Sequence, residues 1–418
     1  MTKIKPSFEI SSQRSMMEKE NIGGIALSRN PYTLVIGGVF ALFIAMSIGR
    51  FAYTPILPFM QQETGFSTRF AGFLASSNYA GYLVGALIAS IVPLKKNRAI
   101  LLRISIIISI LLTLLMGLTY SHQSWMLWRF LSGITSAFVF VLASSLILDQ
   151  LAKQRKLGWV GVMYGGVGLG IFVSGLLVPL LIETFHYEGA WIGLACLAGL
   201  LSIIVFLTVK DDDTALPVTP SPKHVKTIKN PKWLPWLLAS YGLEGLGYIV
   251  TGTFIVAIAE QTPAFSGNAT SVWVLVGLTA IPSCVIWAYF GNKYGYMLSL
   301  MILLVIQAVG IVLPAISTSS ASFYVSAILF GATFMGVTTL ATAYARNKNP
   351  LGSARIIAIM TTIYALGQMI GPSLAGVLTA ETESYSWALS GAAFLVFIGA
   401  LFLLPLVNQE RVENNDVN

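Results

Sequence analysis

Twelve apolar runs of roughly 20 residues follow one another along the chain, each long enough to cross about 30 Å of hydrocarbon as α-helix. They cover 32–60, 67–93, 98–118, 122–148, 157–183, 188–209, 233–261, 268–290, 295–316, 321–346, 353–379 and 384–407. The runs are continuous, without the two-residue alternation of a membrane barrel, and this selects helix. A soluble fold is excluded on the same grounds. Of the 418 residues 56% are hydrophobic and 10% charged, where soluble domains carry about a quarter charged residues. Too little polar surface exists to cover such a core, so its covering is lipid. The chain reads as an all-α integral membrane protein with twelve transmembrane helices.

The net charge of +8 does not point to nucleic acid, which needs basic residues clustered on a water-facing surface. Here they lie in short segments between apolar runs, and their placement gives an orientation. If alternate segments are grouped, 22 of the 25 Lys and Arg fall in one set and only Arg69 in the other. Arg50 and Arg129 lie inside runs. Positive loops remain cytoplasmic, so both termini are expected inside and the number of spans even. The first run is too long for the core of a cleaved signal and is expected to stay as a span. Cys196 and Cys284 sit within apolar runs and read as small buried hydrophobes.

The expected organisation is an N-terminal cytoplasmic tail (1–31), a six-helix bundle (32–209), a cytoplasmic linker (210–232), a second six-helix bundle (233–407) and a tail (408–418). The linker "KDDDTALPVTPSPKHVKTIKNPK" is rich in Pro, Thr and charge, a composition that does not build a core. The halves are nearly equal in length, and a displacement that puts Tyr53 on Tyr248 also puts Gly49-Arg50 on Glu244-Gly245. Two parallel six-helix repeats around a midplane site form a transporter architecture.

Several motifs then carry a resemblance. "RFLSGITSA" (Arg129 to Ala137) resembles the fourth-span R-x-x-x-G-x-x-x-A signature of the major facilitator superfamily. "GNKYG" (Gly291 to Gly295) is similar to its loop after the eighth span, with Asn292 where an aspartate is usual. "PLKKNR" (Pro93 to Arg98) keeps only the basic charge of the first-half loop. "GQMIGPSLAG" (Gly367 to Gly376) looks like an eleventh-span pattern, and "GRFAYTP" (Gly49 to Pro55) resembles the little-characterised bacterial YbfB/YjiJ-like branch. The fifth span, "YGGVGLGIFVSGLLVP", lacks the adjacent Gly-Pro typical of proton antiporters, which disfavours drug–proton exchange. The resemblance implies the superfamily fold in a bacterial cytoplasmic membrane. It also implies that the first, fourth, seventh and tenth spans line a central cavity.

A charge at mid-membrane costs roughly 2.5–3.5 kcal/mol on insertion scales and should face protein or water. Three charges lie well inside spans: Arg50, Arg129 and Glu244. Arg50 lies about 24 Å along the first span at 1.5 Å per residue. It either faces the cavity or snorkels to the outer interface. Tyr53, Thr54 and Leu57 share its helix face, and Pro55 and Pro58 bend the helix end. Glu244, next to the repeat equivalent of Arg50, is expected to face it across the cavity, or else to make a structural hydrogen bond. Burial favours the neutral form of a carboxyl unless a cation opposes it, so Glu244 is also the best proton carrier. The resemblance gives Arg129 the family's fourth-span role, often tied to proton coupling.

Asn78, Gln368, Tyr53 and Tyr248 complete the expected solute or proton pathway, although a buried amide more often bonds a neighbouring helix. Ser77, Gly81, Gly85 and Ala89 recur every four residues, as do Gly367, Gly371 and Ala375. Together with Gly133 and Pro372 they are expected to serve packing between moving helices. Two arginines against one glutamate leave the site with a net charge of +1, which favours an anionic solute. Phe51, Tyr53, Tyr241 and Tyr248 suit an amphipathic one.

No phosphate loop G-x-x-x-x-G-K-[ST] is present, and His122, His186 and His224 lie in connecting segments, so neither ATP hydrolysis nor a buried metal site is expected. The reading is a secondary transporter of a small organic solute by alternating access, with the proton as coupling ion. No other cofactor, no nucleic acid and no partner beyond lipid is expected, and the chain is read as a monomer. The rival is a non-transporting receptor on the same fold.

Overall fold

In hydrocarbon every backbone donor and acceptor must be met within the protein, and the chain meets this by forming helix in each apolar run. The computed structural model describes residues 30–91, 97–211, 231–265, 268–349 and 352–417. The tail before residue 30 and most of the 210–232 linker lie outside them. The first four helices are α1 (Pro31–Thr64), α2 (Thr68–Ile91), α3 (Arg98–Leu118) and α4 (His122–Lys153). The next helical stretch, Val160–Thr208, is 49 residues long and breaks at Phe185 and His186, where His186 takes φ 58°. Beyond the break the chain folds back, because Gly193 packs on the Leu181 side chain, and a straight helix would place residues 12 apart about 18 Å from each other. We therefore count α5 (160–184) and α6 (187–208) as two spans. Then come α7 (Leu234–Glu260), α8 (Thr270–Tyr294), α9 (Tyr296–Ile316), α10 (Ser320–Lys348), α11 (Ser353–Thr382), α12 (Tyr385–Leu401) and a final helix, α13 (Leu404–Val417). The twelve spans of the sequence reading are present.

Within each half the helices close on small residues. A Cβ at Gly81 would run into the Phe130 carbonyl and one at Gly133 into the Asn78 carbonyl, so α2 and α4 cross backbone to backbone. Gly85 lies on the same seam, and Gly331 makes the corresponding α8–α10 approach against Val276. Gly367 and Gly371 bring α11 onto α7. These stripes therefore bind helices of one half together. The seam between halves uses other positions. Gly72 of α2 meets the Pro372 carbonyl of α11, and Ser373 donates to the Ser76 hydroxyl through both its amide (3.1 Å) and its Oγ (2.7 Å). On the other side α5 packs on α8 through Gly168 and Gly277.

The two ends of the molecule differ. At the end away from the basic loops the second part of α1 packs on α7, with the Thr54 hydroxyl donating to the Gly252 carbonyl at 2.6 Å. Arg69, the one basic residue of that side, pairs with Glu381 across the seam at 3.5 Å; both are half exposed, so the pair contributes little. At the basic end α4 and α10 make no extended contact. There each half carries a carboxylate cap. Asp211, after α6, accepts from the first-turn amide of α3 at Ala99 (3.2 Å). Glu410, in α13, accepts from Tyr296 (3.0 Å) and Met297 (2.8 Å) at the start of α9. Each carboxylate meets orphan amides at a positive helix end.

α1 is the irregular helix. Phe43–Phe51 is a π-helix, so the departure from α geometry precedes the prolines rather than following from them alone. In the π register the carbonyl of residue 50 looks to residue 55 for its donor, and Pro55 has none. The fourth span supplies donors instead: Arg129 donates to the carbonyls of Gly49 (3.2 Å) and Arg50 (3.3 Å), and Ser132 donates to Gly49 (2.9 Å).

Two outcomes are expected. Arg129→Met strands the buried Arg50 carbonyl, costing about 1–3 kcal/mol, while Ser132 keeps the Gly49 carbonyl, and lowers the unfolding temperature of the purified protein; adding Pro55→Ala restores part of the loss by returning an amide. If Pro55→Ala brings no recovery, the carbonyl account is wrong. Gly133→Ala should sharply reduce folded yield, whereas Gly391→Ala, which meets nothing within 4 Å, should not. Equal yields would sink the close-crossing account.

Candidate functional site

Arg50 sits on the π-helical part of α1 and is 3% exposed, so it does not snorkel to an interface. Its guanidinium lies over the rings of Tyr79 (4.6 Å) and Tyr82 (4.5 Å) of α2, with Phe51 at 5.3 Å. Aromatic faces carry negative charge density and hold a cation without neutralising it. Across the seam it acts electrostatically on Tyr248 of α7 and Tyr364 of α11. Its Nε and Nη2 are buried and have no hydrogen-bond partner.

Glu244 is wholly buried on α7. Among the described residues no ion pair joins it to Arg50. The expected pairing is absent from this arrangement for a geometric reason. The Glu244 carboxyl faces the Gln307 amide of α9 and the Tyr364 hydroxyl of α11 as hydrogen-bond partners, and Tyr248 lies close enough to feel both charges. Gln307 is itself fully buried. Gln368 of α11 donates to the Tyr248 hydroxyl and leaves its Oε1 unpartnered.

Beside these polar groups runs a ladder of nearly parallel rings from α7, α10 and α11. Tyr241 stacks on Tyr364 (4.4 Å between centroids, 25°), Tyr364 on Tyr248 (5.6 Å, 19°), and Tyr248 on Phe334 (6.2 Å, 10°) and Phe330 (6.3 Å, 20°). Tyr241 is also anchored by its hydroxyl to Thr338 of α10 at 3.2 Å. Phe51 reaches this wall from the other half, edge-on to Phe334 at 6.1 Å and 6.5 Å from Trp273.

Of the residues read from the sequence, Arg50, Glu244, Tyr248 and Gln368 come together here. Three others are bound into helix contacts. The Tyr53 hydroxyl donates to the Ala71 carbonyl at 3.0 Å, and its ring lies under Arg129 at 4.9 Å. The Asn78 amide donates to the Arg129 carbonyl at 2.9 Å. Arg129 serves the α1 carbonyls. The polar strip expected along α1 is likewise taken up, since Tyr53 and Thr54 both donate to neighbouring backbone. Gln307, Tyr364, Tyr79, Tyr82, Phe330 and Phe334 were missed. Gln307 carried a usable signal, a lone amide inside "LLVIQAVG", and Tyr364 lies one turn before Gln368 on the same face. Among the described residues no three His, Cys, Asp or Glu side chains gather to hold a metal.

Comparisons with known proteins agree with this architecture. The chain is 21% identical over 417 residues to a gentisate transporter of Corynebacterium glutamicum, covering 94% of this chain and 90% of that one. It is 22% identical to the uncharacterised transporter YcaD of Escherichia fergusonii, covering 94% and 99%. It is 23% identical to YceJ of Bacillus subtilis, also uncharacterised, covering 88% and 95%. A crystal structure of a point mutant of the nucleoside transporter NupG superposes with a TM-score of 0.67 at 14% identity, over 91% of this chain and 99% of that one; at that identity it supports the fold alone. The model of the family described as the uncharacterised MFS-type transporter YbfB matches residues 42–404. Two six-helix halves, a buried polar centre between them and a match over most of the length make this chain a member of the major facilitator superfamily, in the YbfB family.

Proposed function

We propose that the chain moves a small organic anion across the bacterial cytoplasmic membrane by alternating access, with Arg50 as the seat of the anion's carboxylate. One observation carries the reading. Nε and Nη2 lie on the same edge of the guanidinium, the edge that takes a carboxylate through two parallel hydrogen bonds, and in Arg50 both are buried and unpartnered. The tyrosine faces hold the cation in place and leave that edge available. The relative named a gentisate transporter agrees with an anionic solute.

The contact asymmetry supports a mechanism. With the basic loops on the cytoplasmic side, the α1–α7 packing closes the outer end, and the unpacked α4 and α10 are where an inward path forms. Arg50 belongs to one half, and Tyr248, Tyr364 and Glu244 to the other, so a solute held at Arg50 touches both. Glu244 is the proton site in this scheme. It is the one acidic group buried beside the solute seat, and a carboxylate without a cationic partner in a low-dielectric site favours taking up a proton. Both termini lie in the cytoplasm, and a single chain in lipid is the working unit.

The test is counterflow in proteoliposomes loaded with mixed organic acids, with internal pH followed. Carboxylate exchange is expected; ligand binding without movement would replace this reading with a receptor. Arg50→Lys keeps the charge but loses the fork and should cut uptake at least tenfold, about 1.4 kcal/mol or more. Unchanged uptake would remove Arg50 from the site. Glu244→Gln should keep exchange and lose accumulation driven by a pH gradient. If wild-type transport never moves internal pH, the proton assignment fails.

A further inference from the structure

We infer that the solute is a planar aromatic carboxylate, whose ring lies against the Tyr248–Tyr364–Phe334 wall while its carboxylate occupies the free edge of Arg50. This rests on the anion reading above and adds the shape of the remainder of the molecule.

The wall carries the argument. Within the second half the Tyr248 pairs with Phe330, Phe334 and Tyr364 are all within 20° of parallel, while Phe51 of the first half meets Phe334 edge-on. Rings from three helices therefore present a common flat orientation rather than a rounded apolar pocket. Parallel faces favour an offset-stacked planar ring over an aliphatic chain or a puckered one. Phe51 already brings a ring to Phe334 from the half that carries Arg50, so the wall is reached by an aromatic group arriving from that side. Arg50 lies next to Phe51 in the chain. The carboxylate seat and the ring site thus belong to opposite halves and adjoin through Phe51, which suits a ring that bears a carboxylate.

One more group refines the class. The Oε1 atom of Gln368 is buried and unpartnered, while its amide nitrogen is committed to the Tyr248 hydroxyl. That oxygen accepts hydrogen bonds and is fixed at the edge of the ring wall. It suits a hydroxyl on the solute ring. The chemistry so described is a hydroxylated aromatic acid, with charge read by Arg50, planarity by the wall and hydroxyl by Gln368.

The test uses a matched pair of probes that differ only in the ring. Isothermal titration of the purified full chain in lipid nanodiscs compares 4-hydroxybenzoate with trans-4-hydroxycyclohexanecarboxylate, and phenol serves as a ring without a carboxylate. Stacking on two rings at about 0.5–1.5 kcal/mol each predicts that 4-hydroxybenzoate binds roughly tenfold more tightly than its saturated analogue. Phenol should not bind measurably. Tyr248→Leu should bring the ratio close to one, and Phe334→Leu provides the same test if the first variant does not fold. Gln368→Leu should erase the advantage of 4-hydroxybenzoate over benzoate. Equal affinity for the planar and saturated acids in the wild type overturns the ring assignment and leaves the anion reading standing. Binding of neither acid overturns both.

Discussion

A membrane helix that shifts into π register and then meets prolines cannot satisfy its own carbonyls, and the placement of Arg50 depends on how they find donors. Arg129 and Ser132 of α4 supply them at Gly49 and Arg50. Water is absent at that depth, so the alternative is unmet backbone in hydrocarbon. The contact therefore fixes the rotation of α1 and sets the Arg50 side chain between Tyr79 and Tyr82. The close crossing of α2 on α4 through Gly81 and Gly133 holds those tyrosines in register with the same arginine pair. Two intramembrane arginines thus divide the labour: one organises backbone, and the other keeps its Nε and Nη2 donors free of protein acceptors.

The division between packing inside a half and contact across the seam follows the same economy. Within each half, glycine stripes lock helices at backbone distance. Between halves, the lateral contacts are glycine against backbone and one serine pair, which can slide at small enthalpic cost. Larger groups also cross the seam near the centre and at the outer end, where Phe51, Thr54 and the exposed Arg69–Glu381 pair reach the second half. The proposed alternating access would have the halves rock along this seam.

The fold was legible because the bilayer is a strict solvent: run length, the distribution of Lys and Arg and the faint repeat all report directly on crossing it. The site was only partly legible. The cost of burying a charge singled out Arg50, Arg129 and Glu244 from composition alone, but cost does not reveal whether the compensating partner is a backbone carbonyl, an aromatic face or a solute. That choice depended on the π register of α1, which shifts every later side chain relative to an α-helical wheel and upset the expected Arg50–Tyr53–Thr54 face. The aromatic wall was illegible for another reason. Phe330, Phe334 and Tyr364 are ordinary apolar-span residues in sequence, and their alignment with Tyr248 arises only from three helices meeting.

Holding Arg50 by ring faces rather than by a carboxylate has an electrical consequence. The cation remains a net charge inside the membrane field, and it travels with the half that carries it. A full crossing of one charge is worth about 2.3 kcal/mol per 100 mV, so under the proposed alternating access even a fractional displacement would let the membrane potential bias which way the unloaded protein faces. The proposed anion on Arg50 would cancel that charge, and the loaded and unloaded steps would then respond differently to voltage.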